Sequence, residues 1–354
     1  MASELNNVEQ SRRNYLKENK PRVYEKVMQF SEKAARGESI AIIQFQYDYT
    51  CNLRCQHCSV KRFQGRKEGR SFTLADVRDF CRQADELGLA NFVITGGEPL
   101  VFPDFDQLVE AIDPSRFYIV SDTNGWLLDD ARAKHLKSIG VDKIQLSLDS
   151  LDAREHDEFR RREGSHARAM RAIDAALNAG LNIILSTVVT HQRIYSDEFI
   201  EYLEFAKSKG VGTFVTYAKP VGSWEGKFDM LVTREDMDYM RNVLEKKYNV
   251  FTHLTPSYGL DLGCIAMKRM ISVTKYGDVM PCPYIHVSIG NVFEEPLKDI
   301  IERGMNIKHF GRHVNTCLIA ESRPFINKYI VPTYSKELPV PMDEIFPEDD
   351  KIIK

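Results

Sequence analysis

The sequence predicts an α/β fold in which short parallel strands alternate with helices in a full or partial TIM-type barrel, followed by a smaller domain. Short apolar runs and amphipathic segments alternate from about residue 40 to residue 220. Cysteine and glycine motifs directly follow individual strands, and the active site of such a barrel lies at the C-terminal ends of its strands. A second group of cysteines lies beyond the last predicted strand.

The barrel is preceded by residues 1–39, a charged segment that we expect to be helical and to pack on the barrel floor. The strands of the barrel are predicted at 40–45, 91–94, 117–121, 143–148, 182–189 and 213–217, with helices at 74–87, 105–112, 129–139, 168–178 and 197–207. Thr73 with Asp76 three residues later predicts a capped helix start, and Gly88 predicts the end of that helix. The barrel is therefore assigned to residues 40–220.

The smaller domain is assigned to residues 221–331. Its predicted elements are a helix at 233–247, a short strand at 250–254 and a hairpin at 271–280. Residues 332–354 are rich in proline and acidic side chains, so they cannot form regular helix throughout. We expect this tail to be extended and dispensable for assembly of any metal centre.

Composition limits the class of protein. The chain has 354 residues, of which 43% are hydrophobic and 28% charged, which is ample for a large core. A net charge of −3 argues against nucleic acid as a partner. The seven cysteines are not preceded by a signal peptide, and no apolar run has the length of a transmembrane segment. We therefore expect a cytoplasmic protein with free thiols.

Three cysteines lie together after the first predicted strand. Cys51, Cys55 and Cys58 form a C-x-x-x-C-x-x-C pattern. Zinc usually takes four ligands in paired C-x-x-C motifs. A triplet with unequal spacing instead suits three corners of an iron–sulfur cube, with the fourth iron open. Three unconnected thiols are the alternative, which clustered cysteines in an intracellular chain disfavour.

A glycine motif, Gly96-Gly97-Glu98-Pro99, follows the second predicted strand. Two glycines let a backbone come close to a ligand. Following the cysteine triplet at this distance, the motif resembles the radical S-adenosylmethionine (radical SAM) superfamily. The resemblance implies a partial (β/α)6 barrel and a [4Fe–4S] cluster bound by the three cysteines. It further implies that SAM chelates the open iron of that cluster.

The resemblance also implies SAM contacts at the strand ends. The residues concerned are Gly96, Gly97, Glu98, Asn124, Ser147, Asp149 and Arg160. Arg160 is the first choice to pair with the SAM carboxylate, and Arg161 and Arg162 are alternatives. His57 stands before the third cysteine, where the family often has an aromatic residue. Its ring can stack, or it can donate to a cluster sulfur.

A second metal site is indicated by Cys264, Cys282 and Cys317. Cys282 ends a G-x4-C motif in the predicted hairpin, which should bring it near Cys264. This region resembles the first part of the SPASM/Twitch extension, which implies one auxiliary [4Fe–4S] cluster. The fourth iron is either open or bound by another side chain, with candidates His286, His309 and His313. Three buried structural cysteines are the alternative, and Cys81 is predicted to be a core thiol.

The resemblance implies a radical SAM oxidoreductase or maturase. Such an enzyme cleaves SAM reductively to a 5′-deoxyadenosyl radical, which abstracts hydrogen from a substrate, here with redox help from the auxiliary cluster. The substrate would be a small molecule or a peptide, and a flavodoxin or ferredoxin would be the external electron donor. Strand-end positions suggest Tyr47, Tyr217, Lys219 and Tyr284 as substrate-facing residues. A non-catalytic iron–sulfur electron-transfer or scaffold protein is the alternative, for which the glycine motif would be superfluous.

Overall fold

The computed structural model describes residues 2–66 and 69–352. The strands in this part of the chain are β1 (Ile42–Asp48), β2 (Asn91–Gly96), β3 (Tyr118–Thr123), β4 (Lys143–Ser147), β5 (Asn182–Val189), β6 (Gly212–Tyr217), β7 (Val250–Thr252), β8 (Met270–Val273), β9 (Asp278–Met280), β10 (Val287–Ser288), β11 (Gly290–Asn291) and β12 (Val340–Pro341). The α-helices are α1 (Ala2–Asn19), α2 (Pro21–Met28), α3 (Phe30–Ala35), α4 (Leu74–Glu86), α5 (Phe105–Ile112), α6 (Asp130–Ser138), α7 (Ala153–Arg160), α8 (Ser165–Asn178), α9 (Asp197–Ser208), α10 (Arg234–Tyr239), α11 (Glu245–Lys247), α12 (Leu297–Met305), α13 (Lys308–Gly311) and α14 (Arg323–Phe325).

One large sheet organises the molecule. Strands β1 to β6 lie side by side in chain order and are all parallel, with helices in the connections between them. Strand β7 extends this array beyond β6, and β8 extends it beyond β1. Six parallel β–α units in sequence order confirm the predicted α/β class, and the flanking strands continue the sheet at both of its edges.

Alternation along the strands separates the core from the interior of the barrel. Ile43 and Phe45 of β1 are fully buried, and the Phe45 ring makes a T-shaped contact with Phe92 at 6.3 Å between centroids. Gln44 and Gln46, on the opposite face, line an internal cavity. Successive side chains of a strand point to opposite faces, so the sheet presents apolar residues to the helices and polar residues to the cavity.

Local signals set several helix boundaries. Thr73 and Asp76 form the predicted capping box at the start of α4, and Gly88 follows its end with a φ of +66°. The bounds of α5 and β5 are those predicted. Helix α7 was not predicted, and the helix predicted at 233–247 is interrupted by a π-helical stretch, Met240–Leu244.

The N-terminal helices bind the floor of the barrel through buried lysines. Lys20 Nζ lies 2.7 Å from Asp142 Oδ2, and Lys26 Nζ donates to the Leu89 carbonyl at 2.9 Å. Lys33 Nζ donates to the Leu87 carbonyl at 2.5 Å. These carbonyls and this carboxylate precede barrel strands, so the ammonium groups satisfy acceptors at the closed end of the sheet. The predicted helical segment is thus an integral part of the fold.

The C-terminal part of the chain continues the same sheet. Strand β8 is parallel to β1, with Ile42 opposite Met270, and β8 and β9 form the predicted hairpin. The sheet therefore runs through the boundary predicted at residue 220. None of the helices in residues 2–66 and 69–352 combines the length and apolar character needed to cross a membrane.

The tail packs on the rest of the molecule. Strand β12 pairs with β10, with Val340 opposite Val287. Phe346 is buried, and Asp350 accepts a hydrogen bond from the Tyr329 hydroxyl at 2.7 Å. Because apolar side chains of the tail fill the core, we expect removal of the tail to lower stability. That the tail is dispensable for assembly of a metal centre stays a prediction.

Candidate iron–sulfur and cofactor site

The cysteine triplet lies on the loop that leaves β1. The Thr50 N–H donates to Asp48 Oδ1 at 2.7 Å, which starts the loop, and the Leu53 N–H donates to Cys51 Sγ at 3.4 Å. Burial raises the pKa of Cys51 to about 12 and that of Cys58 to about 11. Such thiols stay protonated in water, whereas a bound metal deprotonates its thiol ligands. A backbone N–H directed at sulfur suits a thiolate ligand.

The two glycines allow β2 to end against the cysteine loop. The Gly97 N–H donates to the Asp48 carbonyl at 2.8 Å, and the Glu98 N–H donates to the Thr50 carbonyl at 2.9 Å. A Cβ atom on Gly97 would lie 2.6 Å from the Thr50 carbonyl carbon. Gly96 has a φ of +114°, which an L side chain rarely adopts. The close backbone approach predicted for a ligand is therefore made, at least in part, to the loop that presents Cys51.

Glu98 joins the ends of two strands. Its carboxylate accepts hydrogen bonds from Thr123 Oγ1 at 2.6 Å and from the Asn124 N–H at 2.7 Å. Burial raises the pKa of Glu98 to about 6. Asn124 Nδ2 in turn donates to Asn52 Oδ1 at 2.8 Å. Glu98 thus fixes Asn124 at the rim of the cavity, and Asn124 contacts the cysteine loop.

Arg160 is the buried member of three consecutive arginines. Its Nε donates to Asp149 Oδ2 at 2.6 Å, and its Nη1 lies 3.6 Å from Cys55 Sγ. Arg161 is exposed, and Arg162 donates to a backbone carbonyl of the cysteine loop at 2.6 Å. The geometry therefore favours Arg160 over its neighbours as the cation beside a cofactor on the open iron.

His57 stacks on a neighbouring aromatic ring. Its ring lies 4.6 Å from that of Phe159, with an interplanar angle of 11°. Burial lowers the pKa of His57 to about 4, so the ring is neutral. Of the two roles predicted for His57, the structure shows the stacking contact, with a protein side chain as partner.

The predicted residues meet at one cavity of about 480 Å³. Those that line it are Cys51, Cys55, Cys58, Gly96, Gly97, Glu98, Asn124, Ser147, Asp149 and Arg160. Within residues 2–66 and 69–352, no three His, Cys, Asp or Glu side chains form a site for a single metal ion. Three thiols with backbone N–H support, beside a buried arginine and a polar cavity, fit a cluster that binds a charged cofactor.

Three of the four substrate-facing candidates line the same cavity, namely Tyr217, Lys219 and Tyr284. Tyr47 does not, because its hydroxyl donates to Asp104 Oδ2 at 2.5 Å on another side of the sheet. Strand-end position alone identified this tyrosine, and it lies one residue out of register with the cavity-facing Gln44 and Gln46.

Two titratable residues are among the cavity-lining side chains that the sequence analysis did not assign to the site. Asp122, at the end of β3, and His253, just after β7, each have a buried polar atom without a hydrogen-bond partner, Oδ1 and Nδ1 respectively. Burial raises the pKa of Asp122 to about 7 and lowers that of His253 well below its usual value. Asp122 could have been found, because it directly precedes Thr123-Asn124-Gly125. His253 could not, since nothing in the sequence places β7 beside β6.

Cys264, Cys282 and Cys317 lie near one another in the C-terminal part of the chain. All three are buried, and Cys282 lies close enough to both others for electrostatic interaction. Backbone N–H groups approach the sulfurs, from Tyr284 at Cys282 and from Ile319 at Cys317. Burial raises the pKa of Cys282 to about 12 and that of Cys317 to about 11. This donor set matches that of the first triplet.

Gly263 lets the backbone next to Cys264 pack closely against the segment around Val314. It has a φ of +62°, and a Cβ atom there would lie 2.8 Å from the Val314 carbonyl carbon. The Cys264 N–H donates to the Val314 carbonyl at 2.6 Å. The segment that leads to Cys317 is thus held directly against Cys264 by backbone contact.

The three histidines considered as a fourth ligand have other contacts. His286 Nε2 lies 3.2 Å from the Pro283 carbonyl, and its ring packs on Phe63. His309 Nε2 lies 3.0 Å from the Tyr329 hydroxyl. His313 Nε2 lies 3.6 Å from Asp261 Oδ1 at the surface.

Two family models match the chain in the regions of the two cysteine groups. The radical SAM superfamily model matches residues 48–206, and a model of an iron–sulfur cluster-binding domain, SPASM, matches residues 264–319. The chain belongs to the radical SAM superfamily and contains a SPASM domain.

The chain is similar to relatives that carry two different names. An AdoMet-dependent heme synthase of Nitratidesulfovibrio vulgaris is 23% identical over 298 residues, covering 76% of this chain and 80% of the relative. A probable GTP 3′,8-cyclase of Methanocella arvoryzae is 32% identical over 176 residues, which cover 49% of this chain and 56% of the relative. The first similarity covers about three quarters of this chain, and the second covers about half of each chain.

Solved structures share the fold. Streptococcus suis SuiB bound to its precursor peptide SuiA has a TM-score of 0.60 and 19% identity, covering 78% of this chain and 69% of SuiB. The protein anSMEcpe with bound AdoMet has a TM-score of 0.57 and 19% identity, covering 74% of this chain and 80% of that protein. At this level of identity the similarity establishes the fold.

Proposed function

We propose that this radical SAM enzyme oxidises a peptide side chain or a comparably small polar molecule held in the 480 Å³ cavity. We further propose that Cys51, Cys55 and Cys58 bind the SAM-cleaving cluster. The other three cysteines, Cys264, Cys282 and Cys317, would bind an auxiliary [4Fe–4S] cluster. The observation that supports this most is the lining of the cavity, which includes the first triplet together with Lys219 and Tyr284, and Lys219 interacts electrostatically with all three cysteines of the second group.

The protein residues would orient the cofactor and exclude water. When bound, the first cluster and SAM supply reductive SAM cleavage and, through it, hydrogen abstraction from an unactivated carbon. Arg160, itself fixed by Asp149, would hold the carboxylate of SAM. His57, which lines the cavity, is held in place by its stack on Phe159. Fixed dipoles and a dry wall favour radical chemistry by preventing side reactions.

An oxidation also requires a proton acceptor. Removing two electrons from a substrate releases a hydrogen atom, an electron and a proton. Asp122 faces the cavity with an unpartnered oxygen and a pKa of about 7, so near neutral pH it is partly ionised and can accept that proton. The electron would leave toward the second cysteine group, which adjoins the same cavity.

The polar lining of the cavity limits the substrate. Asp122, His253, Gln44 and Gln145 are among the side chains that line it, together with cations that include Lys219 and Arg160. An amide or hydroxyl side chain of a substrate would find hydrogen-bond partners among these polar groups. SuiB binds a precursor peptide, which favours the peptide alternative for this chain as well.

A reducing cytoplasm and an external one-electron donor such as flavodoxin or ferredoxin complete the proposal, because the thiols must be free to bind iron. We propose that residues 40–220 form the radical SAM part and residues 221–331 the auxiliary part, with 1–39 as the floor and 332–354 as a packed tail.

Iron content and SAM cleavage test this function. Anaerobically reconstituted protein should bind about eight irons per chain, and about four after Cys51, Cys55 and Cys58 are replaced by Ala. Cys282→Ala should still release 5′-deoxyadenosine but form no product, whereas Cys81→Ala, in the core of α4, should retain both activities. A non-catalytic iron–sulfur scaffold would instead leave SAM uncleaved in every variant.

A further inference from the structure

Lys219 lies between the cavity and the second cysteine group. It follows β6 by two residues, and only 5% of its surface is exposed. Its Nζ donates to the Tyr217 carbonyl at 2.8 Å and lies 4.2 Å from the centre of the Tyr284 ring. Tyr284 comes two residues after Cys282, so Lys219 contacts the short segment that carries this cysteine.

The electrostatic contacts of Lys219 include all three cysteines of the second group, Cys264, Cys282 and Cys317. Lys268, another buried lysine in this region, interacts with Cys264 alone, and its Nζ is bound by the Phe310 carbonyl at 2.7 Å. In the described part of the chain, Lys219 is therefore the lysine placed to act on the group as a whole.

The protein groups around Lys219 do not compensate a positive charge on its ammonium group. A buried ammonium is costly unless it is paired and fully hydrogen-bonded. Lys219 has one carbonyl acceptor and one aromatic face, and within residues 2–66 and 69–352 no carboxylate lies at ion-pair distance from it. Three thiolates around an iron–sulfur cluster would provide the missing negative charge and would keep the ammonium protonated.

We infer that Lys219 is a positioning residue that raises the reduction potential of the auxiliary cluster, an inference that rests on the proposed function. Reduction adds one negative charge to a cluster. A buried cation stabilises the reduced form more than the oxidised form, because the protein interior screens the interaction weakly. A higher potential makes the cluster a better acceptor for the electron that leaves the substrate.

The test isolates the auxiliary cluster. Full-length protein with Cys51, Cys55 and Cys58 replaced by Ala is reconstituted anaerobically, its iron is counted, and its cluster is titrated against potential by EPR. In this background, Lys219→Met should lower the ratio of reduced to oxidised cluster at a fixed potential by at least about ten-fold, which is 59 mV for a one-electron couple. Lys219→Arg keeps the charge and should retain the potential. Lys33→Met, which removes a buried lysine from the barrel floor, should also leave it unchanged.

The outcomes separate the two proposals. If the background protein binds no iron cluster, the proposed auxiliary cluster is refuted and this inference with it. If the cluster is present and Lys219→Met changes the ratio less than about three-fold, or Lys33→Met changes it equally, only the inference is overturned. Should Lys219→Met and Lys219→Gln both fail to assemble the cluster while Lys219→Arg succeeds, the lysine serves assembly and the tuning role is refuted.

Discussion

Replacing Gly97 by Ala should displace the loop that presents the first cysteine triplet. The new Cβ would lie 2.6 Å from the Thr50 carbonyl carbon and closer still to its oxygen, inside the 3.0 Å that real Cβ atoms keep. The loop must move away, which breaks the hydrogen bonds of 2.8 and 2.9 Å that join Gly97 and Glu98 to Asp48 and Thr50. At about 1 kcal/mol for each bond, the loss is about 2 kcal/mol. That energy changes the ratio of native to displaced loop by about thirty-fold.

The assay is iron content together with SAM cleavage in the reconstituted variant. We expect Gly97→Ala to lose about half of the bound iron and the release of 5′-deoxyadenosine, because one of two cubane clusters is lost. Gly65→Ala is the matched control, since a Cβ there meets no atom within 4 Å. A variant that keeps all its iron and loses only SAM cleavage would mean that the glycine serves the ligand and not the loop. A variant that keeps both would refute the packing argument.

Three further variants probe other contacts. Arg160→Met should weaken SAM binding at least ten-fold in equilibrium dialysis while the iron content is retained, since a charge-assisted contact contributes about 1.5–3 kcal/mol; unchanged SAM affinity would contradict the assignment. Gly263→Ala should lose the auxiliary cluster, whereas Gly259→Ala, with a similar φ of +75° but open space around it, should keep it; equal iron loss would indicate backbone strain alone. Truncation after Val331 should lower the thermal unfolding midpoint by several degrees. The truncation removes buried side chains of the tail, and about 2–5 kcal/mol is lost for each large buried side chain. An unchanged midpoint would show that the packing of the tail adds no stability.

The sequence predicted what local signals encode. The capping pair Thr73 and Asp76 acts within one helical turn, so α4 could be placed from neighbouring residues alone. The first cysteine triplet and the glycine motif follow the ends of β1 and β2, and parallel strands bring those ends to one edge of the barrel. The grouping of the candidate residues around one cavity follows from that geometry, although their contacts with SAM remain predictions.

Pairing between strands that are far apart in the sequence is not encoded by neighbouring residues in this way. Strand β8 joins β1 across more than two hundred residues, and the four residues 270–273, three of which are apolar, do not specify which edge they will join. The same holds for the tail, where Val340 pairs with Val287. His253 was missed for this reason, since its place at the cavity depends on the pairing of β7 with β6.

The shared strand β1 has a consequence for how the two halves can be recombined. The C-terminal end of β1 leads into the loop that carries Cys51, Cys55 and Cys58. The edge of β1 that does not face β2 is hydrogen-bonded to β8, a strand that lies between Cys264 and Cys282 in the sequence. The distance between the two cysteine groups is therefore set by the hydrogen bonds between β1 and β8, and it does not depend on a hinge. A chimera that imports the C-terminal region of another enzyme must also supply a β8 whose register suits this β1. Without that match, the exposed strand edge would favour aggregation over assembly.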